Sequence, residues 1–487
     1  MRAFVPLCLL LLPSVAQAAD LNVGSGQTYA TVQEAVDAAQ PGDVILVHDG
    51  SYVEDVDITS SGDANARITL QPADAASPTI TGRITIDGDF WDITGLTLIA
   101  RPGARGIRLR GDDNRILGVE LSGGDDNGID GGGRGNEVRD SHIHDFDAGA
   151  SDAHCIVLNP GAEDWVIAGN DIHDCSGDCL QLFSQGVETS IKNLLVENNH
   201  LHFTGAIMRT ENAIDVKNGD GVVIRNNRMH GFPDNKVVVF QKGPVNIELS
   251  CNEMYDGFTG VEFRGEDGGT VQNVVFTRNV MHDFSSYALK FDGTEQADVF
   301  NNTFVAIGSD GLRIEGAGLD GGAVRNNLWV DAGNVDAGSF DASHNGYSNA
   351  STDIGGPDDV TGAPLLDAMY QLQDGSPMID AGLDVGLPFA GGAPDIGWHE
   401  LGGDGCDVPM GGTGGAGSGT GGSSTTGAGP GGASATGGGG GPTGGNGAAS
   451  DDGGCGCSFP GEVGERGWPL ALALLLLVAR RRRGQFT

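Results

Sequence analysis

The sequence predicts an all-β chain, a single-stranded right-handed parallel β-helix of about ten or more rungs behind a short N-terminal capping helix. Three observations predict it. First, an asparagine followed by a hydrophobic residue and often a histidine recurs at Asn170, Asn199, Asn227, Asn252, Asn279, Asn302 and Asn327, at intervals of 23 to 29 residues, and a period of that size marks stacked repeats. Second, short alternating runs such as Gly106-Ile107-Arg108-Leu109, Ala213-Ile214-Asp215-Val216 and Gly311-Leu312-Arg313-Ile314 send aliphatic side chains inward and polar ones outward. Third, Gly, Asp and Asn cluster at the corners between these runs, where turn chemistry places them.

Taken in chain order, residues 1–19 read as a secretory signal peptide. Arg2 precedes an apolar stretch over 5–12 and the small-residue sequence Ala16-Gln17-Ala18-Ala19. Export is the expectation, with a mature chain starting near Asp20. Residues 20–82 hold an N-terminal cap and the first rungs. Val32, Ala35, Val36 and Ala39 fall at helical spacing before Pro41-Gly42, so a short amphipathic helix over 31–40 covers the first hydrophobic layer of the stack. Residues 83–333 carry the repeats, cut into rungs near Arg83, Arg105, Asn127, His154, Asp178, Glu211, Asn235, Thr259, Ser286 and Asp310. The repeated asparagine suits its corner because it tolerates a left-handed backbone and its amide can bond to the same group one rung away. The histidines His144, His173, His202, His230 and His282 follow the same corner. Stacked imidazoles can bind a transition metal, but Tyr255 interrupts the series and packing is the simpler reading.

Composition narrows the function classes. The chain carries 66 acidic against 27 basic side chains, a formal charge of −39, with 83 glycines among 487 residues. That balance argues against nucleic acid and anionic membrane surfaces as partners and favours solubility and divalent cations. A monomer is expected. Eight cysteines in a chain this long do not make a small disulfide scaffold. Cys155 and Cys179 hold equivalent places in successive rungs, about one strand spacing of roughly 4.8 Å apart, and Cys175 competes for Cys179. The sequence does not choose between these pairings, nor place Cys251.

Residues 334–401 form a closing segment. Ser376-Pro377-Met378-Ile379-Asp380-Ala381-Gly382 and Asp395-Ile396-Gly397-Trp398-His399-Glu400 resemble the paired phrases that end many bacterial secreted parallel β-helix proteins. Residues 402–454 are a linker rich in Gly, Ser and Thr that cannot bury a core. In residues 455–487, Cys455-Gly456-Cys457 precedes Trp468-Pro469, an apolar run over 470–479 and the arginines 480–483. Twelve apolar residues from Trp468 would span only about 18 Å as a helix, short of a bilayer crossing. This tail is similar to the myxobacterial C-terminal sorting tail (MYXO-CTERM). That resemblance implies display on the cell surface, with processing near the cysteines, and a retained anchor is the alternative. Contact with the membrane is expected only through this tail.

The general pattern of the chain is similar to the pectate lyases and their relatives. β-Elimination on a uronic acid needs a group that neutralises the carboxylate and a base within reach of the α-proton. In Glu211-Asn212-Ala213-Ile214-Asp215-Val216-Lys217, Ile214 and Val216 should point inward, leaving Asp215 and Lys217 on the outer face. This arrangement resembles the family 9 polysaccharide lyases. The resemblance implies Lys217 as the base and a calcium ion held by Asp152 and Asp178 with Asp215 or Asp174. It is incomplete, because Gly177 and Gln181 stand where carboxylates are expected and calcium takes six to eight oxygens. The expectation is therefore a protein acting on extracellular polysaccharide by calcium-assisted elimination of a uronic-acid polymer. The rivals are a non-catalytic glycan-binding or adhesin-like surface protein and a glycoside hydrolase on the same fold, for which Asp140 and Asp145 are candidates.

Overall fold

The computed structural model describes residues 18–403 and Cys406, apart from 187–189, 337, 339 and 353–354. The expected signal peptide, most of the linker and the sorting tail lie outside the described residues. Among the described residues no helix is long and apolar enough to cross a membrane.

Short parallel strands repeat around three walls. The first wall contains Ile107–Leu109, Ile129–Gly131, Ile156–Leu158, Leu180–Leu182 and Ile214–Val216. The second runs through Trp91–Thr94, Arg115–Leu117, Glu137–Arg139 and Val166–Ala168. The third runs through Glu120–Ser122, His142–Phe146, Asp171–Cys175 and His200–His202. Every ladder within a wall is parallel and joins one coil to the next, as in Ile156↔Leu180 and Leu180↔Ile214. From Arg228 onward corners between walls become continuous strand, so Arg228–Gln241, Glu253–Arg264, Tyr287–Phe300 and Asp310–Arg325 each turn a corner without a break.

Alternation fills the interior as predicted. Ile156, Leu158, Leu180, Leu182, Ile214 and Val216 are fully buried. Farther along, Phe240, Phe263 and Phe291 stack ring on ring at 4.7 and 5.0 Å. At the N-terminus the helix Val32–Ala38 buries Val32, Ala35 and Val36 over the first coil. Its start is fixed by a capping box, in which Thr31 accepts from the Glu34 amide and Glu34 reaches back to the Thr31 amide. Asp20–Val23 pairs with Val44–Val47, which pairs with Ile68–Pro72, so complete coils precede Arg83.

The asparagine ladder is present and longer than the sequence suggests. From Asn170 through Asn199, Asn227, Asn252, Asn279, Asn302 and Asn327 to Asn345, each side-chain amide donates to the Oδ1 of the next at 2.9 to 3.2 Å. The backbone explanation needs correction. The left-handed residue is the one before each ladder member: Gly169, Asn198, Asn226, Cys251, Arg278, Asn301, Asn326 and His344. Because Cys, Arg and His occupy that position, backbone tolerance does not select the ladder asparagine. Its amide does, donating across coils while Oδ1 accepts two N–H groups from the preceding coil.

Both disulfide alternatives are corrected. Cys155 bonds Cys175, with Cα atoms 5.6 Å apart, and Cys251 bonds Cys406 with Cα atoms 5.3 Å apart. Cys179 is buried and free. Cys155 and Cys179 do stack one coil apart, since the Ile156 amide donates to the Cys179 carbonyl. Cys175, however, ends a third-wall strand and meets Cys155, which precedes a first-wall strand, at the corner between the two walls. The closing segment seals the other end. Leu372, Met378 and Ile396 pack on Leu328, Trp398 N donates to Thr303 Oγ1 and Asn301 Nδ2 donates to the Asp395 carbonyl.

Candidate functional site

The first wall gathers most of the predicted site. Register pairs Val157 with Gln181 and Gln181 with Asp215 on successive coils. Asp178 lies two residues before its strand and Lys217 one residue after its own. Ile214 and Val216 point into the core, so Asp215 and Lys217 stand on the outer face as expected. Lys217 Nζ lies 2.9 Å from Asp215 Oδ2, with side-chain exposures of 23% and 3%.

Asp178 is completely buried. Its Oδ1 accepts from Asn212 N and Asn212 Nδ2 at 3.0 and 2.8 Å. Its Oδ2 accepts from Gln181 Nε2 at 2.9 Å and lies 3.2 Å from His154 Nδ1. Burial opposes ionisation here, but His154, together with Asn212 and Lys217, holds the carboxyl below its ordinary value. Asp215 goes the other way. Burial, and then the negative charge of Asp178, push it up to about 7 against the pull of Lys217 and Gln241. Gln241 Nε2 donates to Asp215 Oδ1 at 2.8 Å, and Gln241 Oε1 accepts from Arg264 at 2.9 Å. Burial also works against the charge of Lys217, yet Asp215, then Asp178 and Glu211, keep it above the ordinary lysine value.

Asp152 stands beside this group on an exposed segment, paired at 2.9 Å with Arg209, which also holds Glu211 at 2.8 Å. Burial and the charges of Asp178 and Asp152 push Glu211 up. Asp174 is not brought to this wall. It lies on the third-wall strand Asp171–Cys175, where Oδ1 accepts from Thr204 N and Oδ2 lies 2.7 Å from His173 Nδ1 and 2.6 Å from Thr204 Oγ1. The chain turns the corner between Asp174 and Asp178, so four residues of separation put them on different faces.

Two departures from the lyase pattern gain a physical reason. A Cβ on Gly177 would sit 2.5 Å from His154 Nδ1, so a carboxylate has no room there. Gln181 spends its amide on Asp178. Sequence alone gives His154, Glu211 and Gln241 no role in the site, although Glu211 opens the candidate stretch. Their signal was the coil register, which places Gln241 next to the Asp215–Lys217 pair. Asp140 and Asp145 both occupy left-handed turns, and Asp145 bonds His144.

Calcium takes oxygen donors. The acidic oxygens are of the right kind, but those of Asp178 already accept protein donors, Lys217 occupies Asp215 Oδ2, and Arg209 occupies Asp152. The arrangement does not fit a calcium shell.

A family model described as a right handed beta helix region matches residues 83–243 and 212–351, together more than half of the chain. The chain belongs to the right-handed beta helix family. A similar curated protein is the "Uncharacterized protein YwoF" of Bacillus subtilis (strain 168), 24% identical over 318 residues, covering 54% of this chain and 66% of that protein. The chain thus spans just under two thirds of that relative. Among solved structures, the PL6 family polysaccharide lyase Pedsa3628 from Pseudopedobacter saltans is similar with a TM-score of 0.51 at 11% identity, covering 73% of this chain and 96% of that one. Pectate lyase Pel9A is similar with a TM-score of 0.45 at 17% identity, covering 79% and 95%. At these identities the likeness is one of fold.

Proposed function

We propose that this β-helix protein is exported and acts on extracellular polysaccharide along its first wall, eliminating across a uronic acid with Lys217 as the proton-abstracting group. The observation that carries the reading is the Asp178–Asp215–Lys217 cluster: two buried carboxylates in repulsion beside an ammonium on an outer face. Strongly perturbed titrations of this kind concentrate at functional sites. Of the three side chains Lys217 is the most exposed, so it is the one a bound polymer meets. Arg209, linked to the cluster through Glu211, supplies a guanidinium for the substrate carboxylate. The fold likeness to a polysaccharide lyase agrees with this substrate class. The expected signal peptide and C-terminal tail would put the wall outside the cell.

The test is a panel of polyuronates, followed by the ultraviolet absorbance of unsaturated products. Lys217→Ala is expected to lose at least about a hundredfold in rate, the lower range for losing a positioned base. Chelation is expected to leave the rate unchanged. No absorbance from any polyuronate, with calcium or without, removes the lyase reading.

A second reading, a non-catalytic glycan-binding surface, is favoured by the saturation of Asp178 and Asp215 with protein donors. It predicts retention of the same polymers without turnover and unchanged by Lys217→Ala.

A further inference from the structure

The third wall carries a histidine array that the proposed elimination does not use. Register aligns Glu120 with His142, which aligns with Asp171, which aligns with His200. One step along the same face, His144, His173, His202 and His230 align on successive coils. The same unit therefore occurs twice: a carboxylate, a His-x-His pair on the next coil, and a single histidine on the coil after that. Glu120, His142, His144 and His173 form one copy, and Asp171, His200, His202 and His230 form the other.

The side chains repeat as faithfully as the pattern. His142 Nε2 faces His173 Nε2 at 2.8 Å, and His200 Nε2 faces His230 Nε2 at 2.8 Å. Within each trio the ligating nitrogens all lie within 4.8 Å of one another. In three of the six histidines a carboxylate holds the ring nitrogen opposite a facing Nε2: His142 Nδ1 by Glu120 at 3.0 Å, His173 Nδ1 by Asp174 at 2.7 Å and His200 Nδ1 by Asp171 at 3.3 Å, while the same Glu120 and Asp171 meet His144 Nε2 at 2.6 Å and His202 Nε2 at 2.9 Å. Carboxylates behind the remote nitrogen orient metal-binding imidazoles and raise their basicity. Packing alone does not require imidazole, since Tyr255 fills the next place in the stack, 4.5 Å from the His230 ring.

We propose that the third wall holds two copies of a divalent transition-metal site, His142, His144 and His173 with Glu120, and His200, His202 and His230 with Asp171. Imidazole nitrogens select late first-row ions such as zinc over calcium. At a zinc–nitrogen distance of about 2.0–2.1 Å, tetrahedral ligands stand roughly 3.4 Å apart, so the facing Nε2 atoms need only spread slightly to admit an ion.

The experiment is zinc titration calorimetry on untagged full-length protein, stripped of metal and held in excess calcium, with cobalt absorbance in the visible as a second readout. Two zinc ions per chain are expected, together with a cobalt d–d band. The pair His142→Gln/His173→Gln should leave one ion, His200→Gln/His230→Gln should leave one, and all four changes should leave none. Each altered site should lose at least about tenfold in affinity. Wild-type protein that takes up no zinc in excess calcium and shows no cobalt band overturns the proposal without reliance on any variant. Double variants that fold, by circular dichroism, yet still bind two ions also overturn it. Turnover of polyuronate in the two double variants is expected to stay at the wild-type level, so failure of the first-wall reading and failure of this one are distinguishable.

Discussion

Lys217 and Asp215 touch, and both titrate above their ordinary values: burial and then Asp178 raise Asp215, while Asp215 and then Asp178 raise Lys217 against its burial. Both the negative charge of Asp215 and that of Asp178 hold Lys217 protonated, so the rate of elimination should climb as pH rises toward the raised lysine value. Asp215→Asn removes the larger of those charges and should move the rising limb of the rate profile to lower pH, a shift that a purely structural role would not produce. Stability gives an independent check. Asp215 titrates at about 7 in the fold against an ordinary 3.8, so deprotonation costs more in the folded state and its contribution to stability falls as pH rises between those values. Asp178 is depressed, so its contribution is present above the ordinary carboxylate value and lost as pH falls through the lowered one. Chemical denaturation across pH 4 to 7 should therefore show a decline at this site that Asp215→Asn flattens. The identity of Asp215 and Lys217 as outward neighbours was legible from alternation alone. That both titrate high was not, because it depends on burial and on Asp178, brought in from the preceding coil.

At the level of the repeating elements, the asparagine ladder joins the coils at one corner. Asn227 is fully buried, donates to Asn252 Oδ1 and to the Val196 carbonyl, and accepts from Asn199 N and Nδ2. Asn227→Ala strands donors and acceptors on both adjacent coils, at roughly 1–3 kcal/mol for each buried group left unpaired, and denaturant unfolding should register a loss of about 3 kcal/mol. Asn227→Asp should cost more at neutral pH, because it loses the Nδ2 donor and buries a charge. The ladder was readable in the sequence as a period. Why asparagine stands there was half-readable: the amide was anticipated, but the left-handed residue proved to be the one before it, a distinction visible only in backbone angles. The histidine array shows the same limit. In sequence, His144, His173, His202, His230 and His282 read as one packing series that leaves out His142 and His200, whereas the structure sets His142 against His173 and His200 against His230.

For the described molecule, stability rests on one continuous aliphatic interior closed at both ends. The helix Val32–Ala38 covers the first coil, and the segment around Met378, Ile396 and Trp398 covers the last. The Cys251–Cys406 bond ties that closing segment back to an earlier coil across a sequence separation of 155. In the chain-entropy picture a loop of that size is worth roughly 5 kcal/mol, against about 3 kcal/mol for one near the 20-residue separation of Cys155–Cys175. Cys406→Ser should therefore lower the unfolding midpoint more than Cys175→Ser, and limited proteolysis should cut first within the closing segment. Equal effects from the two replacements would argue that the long bridge does little to hold the cap.

The sequence by itself determined the repeat, the inward and outward sense of each strand, the capping helix and the closing segment, because all of these follow from local periodicity and turn chemistry. Only the tertiary structure decided which coils and walls bring particular side chains together. Asp174 and Asp178 are sequence neighbours, yet the corner between them sends one to Thr204 and His173 and the other to His154 and Asn212. Cys155 sits beside Cys179 in the stack yet bonds Cys175 at the corner between the third and first walls. In a solenoid, sequence period sets which residues stack, while the precise corner geometry sets which faces they share. Charge coupling and covalent pairing depend on distances of a few ångströms that the period alone leaves open.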